Sequence, residues 1–350
     1  SRMLRCAIVG LGRWGQLLVN SCMERGKPKG NALVFTHAVV RSAGKYDEYC
    51  SQQSLTAVTD YQRLVESHDI DAVVLATPHS QHFEQIITAT AHNKHIFVEK
   101  PFTMGAENAR NAAESAQNAG VIIAVGHNRR FLPALQELRA MIDAGKLGTI
   151  THMEGNFSGP FALGYESSMW RANADESPAG GMTAMGIHIV DALIYLGGPI
   201  AGVTAQSQGS VLDVDIEDTT AVRVRFESGI SAYLSTLCAT ARQWRLQVFG
   251  TQGWAQLRDH HILDFCPVGQ QEAKTTTYAP VDIERAELEA FAGACRGGKP
   301  YPVTLEEAVH GIAVQDSIIQ SAATPSPLYP VERQGGFHPP SRSDRPFTKK

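Results

Sequence analysis

The sequence predicts an α/β domain built on a parallel, doubly wound sheet, followed by an α+β domain rich in antiparallel strands. Three observations carry this. Apolar strands alternate with helix-period segments through the first 125 residues, the pattern of a parallel sheet covered by helices. The first strand runs straight into a glycine-rich turn and a helix. Beyond residue 150, short segments alternate apolar and charged positions, as strands do when only one sheet face is buried. A length of 350 residues also exceeds one ordinary core.

Leu4 to Val9 reads as a short buried strand. It leads into Gly10-Leu11-Gly12-Arg13-Trp14-Gly15, then a helix with apolar Leu17, Leu18 and Cys22. Strand, GxGxxG, helix is the context of the dinucleotide-binding (Rossmann) fingerprint. Its first glycine makes the tight turn, its second admits the pyrophosphate, and its third lets helix and strand pack closely. N–H groups at the helix start hold the phosphates, so Gly10, Gly12, Arg13, Trp14 and Gly15 are the candidate cofactor loop. The second strand, Leu33 to Val40, ends in Arg41-Ser42, with Lys45 close by. An NAD-selective site places an acidic residue about 20 residues past the glycines. A guanidinium and a hydroxyl suit a 2′-phosphate instead, so NADP is expected ahead of NAD. The strand over 71–76 ends in Thr77-Pro78-His79-Ser80-Gln81-His82. Thr77, Pro78, His79 and His82 are candidate cofactor contacts; the two histidines could equally be satisfied surface residues.

His95 to Val98 is the strand whose end matters most, because it stops at Glu99-Lys100-Pro101. Open α/β sheets bind ligands at the carboxyl ends of their strands, so Glu99, Lys100 and Pro101 are further candidate cofactor contacts, and the proline restricts the Lys100 backbone to extended or turn forms. A helix from Glu107 to Asn118 and a strand from Val121 to Val125 complete a Rossmann domain over 1–126. Gly126-His127-Asn128-Arg129-Arg130-Phe131 crosses into a second domain over 127–330. That domain opens with a helix from Pro133 to Ala144, buried through Leu135, Leu138, Met141 and Ile142, and a strand from Ile150 to Phe157. Residues 158–181, rich in Gly, Pro and Ser, form a long loop carrying Trp170-Arg171; such loops are binding elements or disordered. A helix from Met185 to Leu196 follows, then strands near 201–209, 218–226, 229–238, 243–249, 253–258 and 262–266, and helices near 283–296 and 304–322. Residues 331–350 read as a poorly structured tail.

Composition narrows the function classes. Hydrophobic content of 43% with 19% charged is ordinary for a globular protein. A net charge of −4 offers no basic patch for nucleic acid or membrane. No apolar run is long enough to span a bilayer. The six cysteines are scattered without a CxxC, which indicates neither a zinc site nor a redox dithiol, so no metal is expected. A cytoplasmic location suits those thiols. The first strand begins directly after Met3, so no signal peptide is expected and Ser1-Arg2 read as an expression remnant.

The Gly10 fingerprint, Glu99-Lys100-Pro101, Gly126-His127-Asn128-Arg129 and the run from Gly180 to Asp191 (GGMTAMGIHIVD) occur in that order. Together they resemble the glucose–fructose oxidoreductase/inositol dehydrogenase/rhizopine catabolism (Gfo/Idh/MocA) family over about residues 3 to 330. EKP after a Rossmann strand, followed by GxHxxD, is specific as a combination, and each part alone is weak. The resemblance implies a C-terminal α+β domain with a large, mostly antiparallel open sheet that often forms the interface of a homodimer or homotetramer. It implies hydride transfer between NADP or NAD and a hydroxyl carbon of a sugar, cyclitol or related polyol, with Lys100 and His188 as the active-site lysine and histidine. A nicotinamide-dependent glycosidase of the same fold and a non-catalytic dinucleotide-sensing protein are the other readings; the presence of both Lys100 and His188 argues against the last. One position departs from the pattern. Members commonly carry an aspartate four residues before that histidine, in DxGxHxxD, and here it is Ala184.

Oxidising a secondary alcohol takes a hydride acceptor, a base for the hydroxyl proton and a donor for the developing alkoxide. His188 titrates in the useful range, and Lys100 can serve as hydrogen-bond donor or, with a lowered pKa, as base. Without a carboxylate at 184, Lys100 is expected to be neutral more readily. Asp191 shares a helix face with His188 and either orients its ring or packs. Asn128, Arg129, Trp170, Arg171 and Asp191 are the candidate substrate contacts, since an aromatic plane beside amide and guanidinium donors suits a polyol or an acidic sugar. Trp170 could instead pack beneath its loop.

Overall fold

A computed structural model describes residues 2–209, 211–324 and 328–332. The first strand, β1 (Leu4–Val9), is followed by helix α1 (Arg13–Cys22), which ends in a small hairpin of β2 (Met23–Glu24) and β3 (Lys27–Pro28). Then come β4 (Leu33–Val39), α2 (Asp47–Gln52), β5 (Thr56–Val58), α3 (Tyr61–Glu66), β6 (Ala72–Leu75), α4 (His82–Ala91), β7 (His95–Val98), α5 (Ala106–Ala119) and β8 (Ile123–Val125). Six of these strands form one sheet in the order β5-β4-β1-β6-β7-β8, and every pairing is parallel. All four residues of β6 are buried, as expected where helices cover both sheet faces. The strand order reverses between β1 and β6, the switch point where such sheets open a ligand crevice. Val9 pairs with Leu75, Leu75 with Val98, and Val98 with Val125. This register puts Gly10, Ala76, Glu99 and Gly126 in one row along the rim. Hydrophobic alternation did not mark the short edge strand β5 or the helices α2 and α3, each only a few residues long.

The second domain begins with α6 (Pro133–Asp143) and β9 (Ile150–Ser158). A long loop leads to a widened π-helical turn over Met182–Gly186, which runs into α7 (Ile187–Gly197). Seven strands follow: β10 (Ile200–Gln208), β11 (Thr219–Phe226), β12 (Ser231–Leu237), β13 (Gln243–Gly250), β14 (Gly253–Leu257), β15 (Ile262–Pro267) and β16 (Lys274–Thr277). They join β9 in one eight-stranded sheet, ordered β10-β11-β12-β9-β13-β14-β15-β16. Only the β9–β12 pair is parallel. Alternate residues of β11 are buried, so one face packs on helices and the other stays open.

The single crossing expected at residue 127 is incomplete. Helix α8 (Ile283–Cys295) returns to the first domain: Leu288, Phe291 and Ala292 join its core, and Phe291 meets Phe97 of β7 at 5.8 Å. Helix α9 (Leu305–Ala323) serves both cores, with Ile312 in the first and Ile318 in the second. Its Asp316 accepts from the Ala106 N–H at the start of α5, 2.8 Å away, while its His310 accepts from Ile200 at 2.9 Å. The apolar periodicity of these helices is visible in the sequence, but not which core they join. The expected tail lies outside the described residues except for 331 and 332.

Candidate active site

The cofactor side is built by three glycines with different jobs. Gly10 has φ +95°, and a Cβ there would lie 2.7 Å from the Ala76 carbonyl oxygen. A Cβ on Gly15 would lie 2.0 Å from the Gly10 oxygen, so that glycine is required for packing. A Cβ on Gly12 would meet nothing within 4 Å. This open space at the start of α1 is where backbone N–H groups can reach a pyrophosphate. Arg13 is exposed beside it, and the Trp14 indole lies against the buried Glu99 carboxylate. Gly10 N–H donates to Val39 at the end of β4, which brings Arg41 and Ser42 close to the loop. Both are exposed, and Arg41 makes no ion pair among the described residues. The loop and its rim therefore fit a dinucleotide.

After β6, Thr77 donates to Gln85 at 2.6 Å, and Pro78 opens the turn carrying His79. His79 stands edge-on to Trp170 of the long loop at 5.0 Å, and Ser80 donates to Glu176 of the same loop at 2.5 Å. The loop thus straps the second domain to the first. Trp170 packs on the nucleotide-side rim, with the Arg171 guanidinium 4.2 Å from its ring centre. His79 is pushed down to about 3, chiefly by burial and then by Lys100. His82 is not placed as a cofactor contact. It is fully buried, and its ring nitrogens lie 2.8 Å from the Pro101 carbonyl and 3.1 Å from the Thr77 carbonyl. It ties together the loops after β6 and β7, leaving no ring nitrogen for a ligand.

Lys100 leaves β7 through a cis bond to Pro101. Its ammonium donates to the carbonyl of Ala184, 2.7 Å away in the π turn. The residue that replaces the family's aspartate therefore still meets Lys100, through its backbone. Burial lowers the Lys100 pKa to about 8; Glu99 opposes this, and Arg129 and Arg171 add to it. Glu99 is buried behind it against Gly126, where a Cβ would lie 2.9 Å from its Oε1, and burial raises its carboxyl to about 7. Glu287 of α8 is fully buried, and its pKa is raised well above the carboxylate range by burial and by Glu99.

His188 opens α7 one turn beyond Ala184 and is 4% exposed. Its Nε2 lies 3.0 Å from Nη1 of Arg129. A guanidinium only donates, so Nε2 accepts and the ring proton sits on Nδ1, which has no partner among the described residues. Burial, then Arg129, holds His188 well below its ordinary pKa. Arg129 lies over a cross-strand aromatic pair, 5.0 Å from the Phe157 ring and 5.6 Å from Trp244. Asn128 is 2% exposed and bridges Arg129 (3.1 Å) to Glu284 (3.3 Å), so it supports Arg129 rather than facing the cleft.

Asp191 corrects the sequence reading. It neither orients His188 nor reaches the cleft. Its two oxygens accept from Nε and Nη2 of buried Arg130, each at 2.9 Å, and Arg130 also donates to Glu307 of α9 at 2.5 Å. The i, i+3 spacing placed it on the correct helix but could not say which neighbour it met. Trp244 and His260 were missed. Their rings are 4.9 Å apart beside Arg129, and they come from β13 and the β14–β15 turn, with no local motif to flag them.

A phosphate-binding glycine loop facing a lysine and a histidine across a two-domain cleft defines a nicotinamide-dinucleotide oxidoreductase fold. Residues 4–127 match the oxidoreductase family with an NAD-binding Rossmann fold, and residues 135–256 match the GFO/IDH/MocA C-terminal domain. The chain belongs to the Gfo/Idh/MocA family of NAD(P)-dependent oxidoreductases. It is 27% identical to the 1,5-anhydro-D-fructose reductase of Ensifer adhaerens, covering 81% of this chain and 87% of the relative. It is 28% identical to the scyllo-inositol 2-dehydrogenase (NAD(+)) of Bacillus subtilis (strain 168), covering 86% and 89%. A levoglucosan dehydrogenase solved with NADH and levoglucosan shares the fold, with a TM-score of 0.81 at 19% identity over 92% of this chain and 98% of that one. Among the described residues no helix is long and apolar enough to cross a membrane.

Proposed function

We propose that this protein oxidises a secondary hydroxyl of a sugar, cyclitol or related polyol, or reduces the matching ketone, with NADP preferred to NAD. One observation carries the reading. Lys100, at the rim of the nucleotide-binding sheet, meets the turn that leads into His188 of the second domain, and its pKa lies near 8. A base works best when its pKa is close to the operating pH. When bound, the nicotinamide supplies the two-electron acceptor for the carbinol C–H bond. The neutral Lys100 amine takes the hydroxyl proton, and in the reverse direction its ammonium returns it. His188 stays neutral because burial and Arg129 oppose its charging. It acts as a positioned donor: with Nε2 held by Arg129, its Nδ1–H is available to a substrate oxygen.

Arg41 and Ser42 hold a 2′-phosphate, and Gly10, Gly12, Arg13, Trp14 and Gly15 hold the pyrophosphate and adjoining ribose. Trp170 and Arg171 close the cleft over the ligands. The open face of the second sheet, where Tyr233 is 54% exposed, pairs with a second copy to form a homodimer or homotetramer. Size-exclusion chromatography with light scattering tests this. The six cysteines are all free, consistent with a cytoplasmic location, which cell fractionation checks.

The deciding experiment follows reduced-nicotinamide absorbance with a sugar and cyclitol panel, for wild type and Lys100→Ala. Turnover that falls roughly 10²- to 10⁴-fold in the variant, with NADP affinity retained, is the expected result. A variant that binds NADP and turns over like wild type overturns the role of Lys100.

A further inference from the structure

Two adjacent arginines leave the crossover with opposite fates. Arg130 is 3% exposed and is met by two carboxylates, Asp191 and Glu307. Arg129 is half-buried and meets none among the described residues. Glu284, the carboxylate that acts most strongly on it, accepts from Asn128 instead. The partners Arg129 does have are the Asn128 amide oxygen and the His188 imidazole, both uncharged. Its Nε is buried with no hydrogen-bond partner among the described residues. Taking a guanidinium out of water without a counter-ion is costly, and proteins ordinarily pair such a group.

Glu284, Glu287 and Glu99 act on Arg129 from a distance, but none of them forms an ion pair with it. Lys100 and Arg171 are the other cations of the cleft, and neither is in an ion pair among the described residues. Arg129 and Arg171 both depress the titration of Lys100, as neighbouring cations do. Among the described residues the 4%-exposed His188 keeps an unpartnered Nδ1, and the Nε2 of His260, whose ring is 4.9 Å from Trp244, is also without a partner. An oxidised nicotinamide adds one more positive charge on this side. Unmatched donors and unmatched cations therefore converge where the substrate must lie.

We propose that the substrate is an acid, a uronate, aldonate or other carboxylated polyol, whose carboxylate is the missing partner of Arg129. This rests on the oxidoreductase reading above and names its substrate class. The aromatic floor of Phe157 and Trp244 holds the guanidinium plane in place, so its fork meets a carboxylate with little loss of side-chain freedom. The apolar face of the sugar ring lies toward Trp170, and the oxidised carbon faces Lys100.

The test compares matched pairs with NADP: D-glucose against D-glucuronate and D-galactose against D-galacturonate, with myo-inositol and glucose 6-phosphate as further arms. The uronates are expected to exceed the neutral sugars in kcat/KM by roughly 10- to 100-fold, the scale of one charged hydrogen-bonded contact. Arg129→Gln should bring that ratio close to one, mainly by raising KM for the acid, with NADP affinity unchanged as the check on folding. If the variant does not fold, calorimetry of wild type loaded with NADPH decides: glucuronate must bind at least tenfold more tightly than glucose. Oxidation of neutral sugars as fast as the acids, or a preference for the phosphate ester, overturns this inference and leaves the oxidoreductase reading standing. No turnover and no binding of any arm defeats both.

Discussion

The two walls of the cleft are built by different rules. The nucleotide wall is local: β1, three loop residues and the first turn of α1 supply it, mostly through backbone. The substrate wall is assembled from distant pieces. Lys100 comes from β7, Arg129 from the crossover, His188 from α7, and Phe157 and Trp244 from paired strands of the second sheet. A contiguous backbone cradle tolerates almost any side chain between its glycines, so it keeps one function. A wall of separate side chains can be re-chosen one residue at a time, which is how a shared fold takes different substrates.

The largest expected effect separates scaffold from site on the substrate wall. Asp191→Ala leaves Arg130 with only Glu307 and should cost roughly 3 to 5 kcal/mol of stability. Urea unfolding reads this, and an unchanged midpoint would return Asp191 to a ligand role. On the nucleotide wall the glycines should divide. Gly15→Ala drives a Cβ to 2.0 Å from the Gly10 oxygen and should destabilise by about 1 to 3 kcal/mol while weakening cofactor binding. Gly12→Ala meets open space and should hold stability within about 0.5 kcal/mol yet still weaken dinucleotide binding. Equal effects from the two substitutions would break the distinction between a packing and a ligand-facing glycine. Arg41→Ala should lower the NADP-to-NAD affinity ratio roughly tenfold, the value of one charge-assisted contact, as calorimetry would show.

The pH dependence tests where the walls meet. With Lys100 near 8, kcat/KM for oxidation should rise with pH and level off above about that value, because the neutral amine is the base. Ala184 is exposed, so an aspartate fits there, and a carboxylate beside the ammonium favours its charged form. Ala184→Asp should move that limb upward by roughly one pH unit; an unmoved limb defeats the idea that the missing aspartate frees Lys100. The smallest effect concerns stability. His82, His127 and His188 are buried and held below their ordinary pKa by burial. The unfolded chain takes up protons as pH falls through about 6.5 while the native state does not, so stability should decline below that pH. Melting temperatures at pH 7 and pH 5 check this.

How legible each wall was follows from the same contrast. The glycine loop, Arg41 and the strand-end position of Lys100 were readable because their geometry is set within a few residues. His188 was readable through the resemblance carried by its flanking motif. Arg129 was named as a substrate contact, but its lack of a carboxylate shows only beside Arg130, whose two partners lie on α7 and α9. Asp191 and His82 carried the correct residue types for a site, and tertiary contacts assigned both to holding loops and helices together. Trp244 and His260 had no local signal.

By itself the sequence determined the parallel first sheet, the alternating second sheet and the dinucleotide loop, since hydrophobic period and glycine conformation act over short distances. Only the tertiary structure decided that α8 and α9 close the first core, that Asp191 belongs to Arg130, and that Arg129 stands without an ion-pair partner among the described residues. Charge pairing in a buried site depends on which side chains meet across hundreds of residues, and no local pattern encodes that meeting.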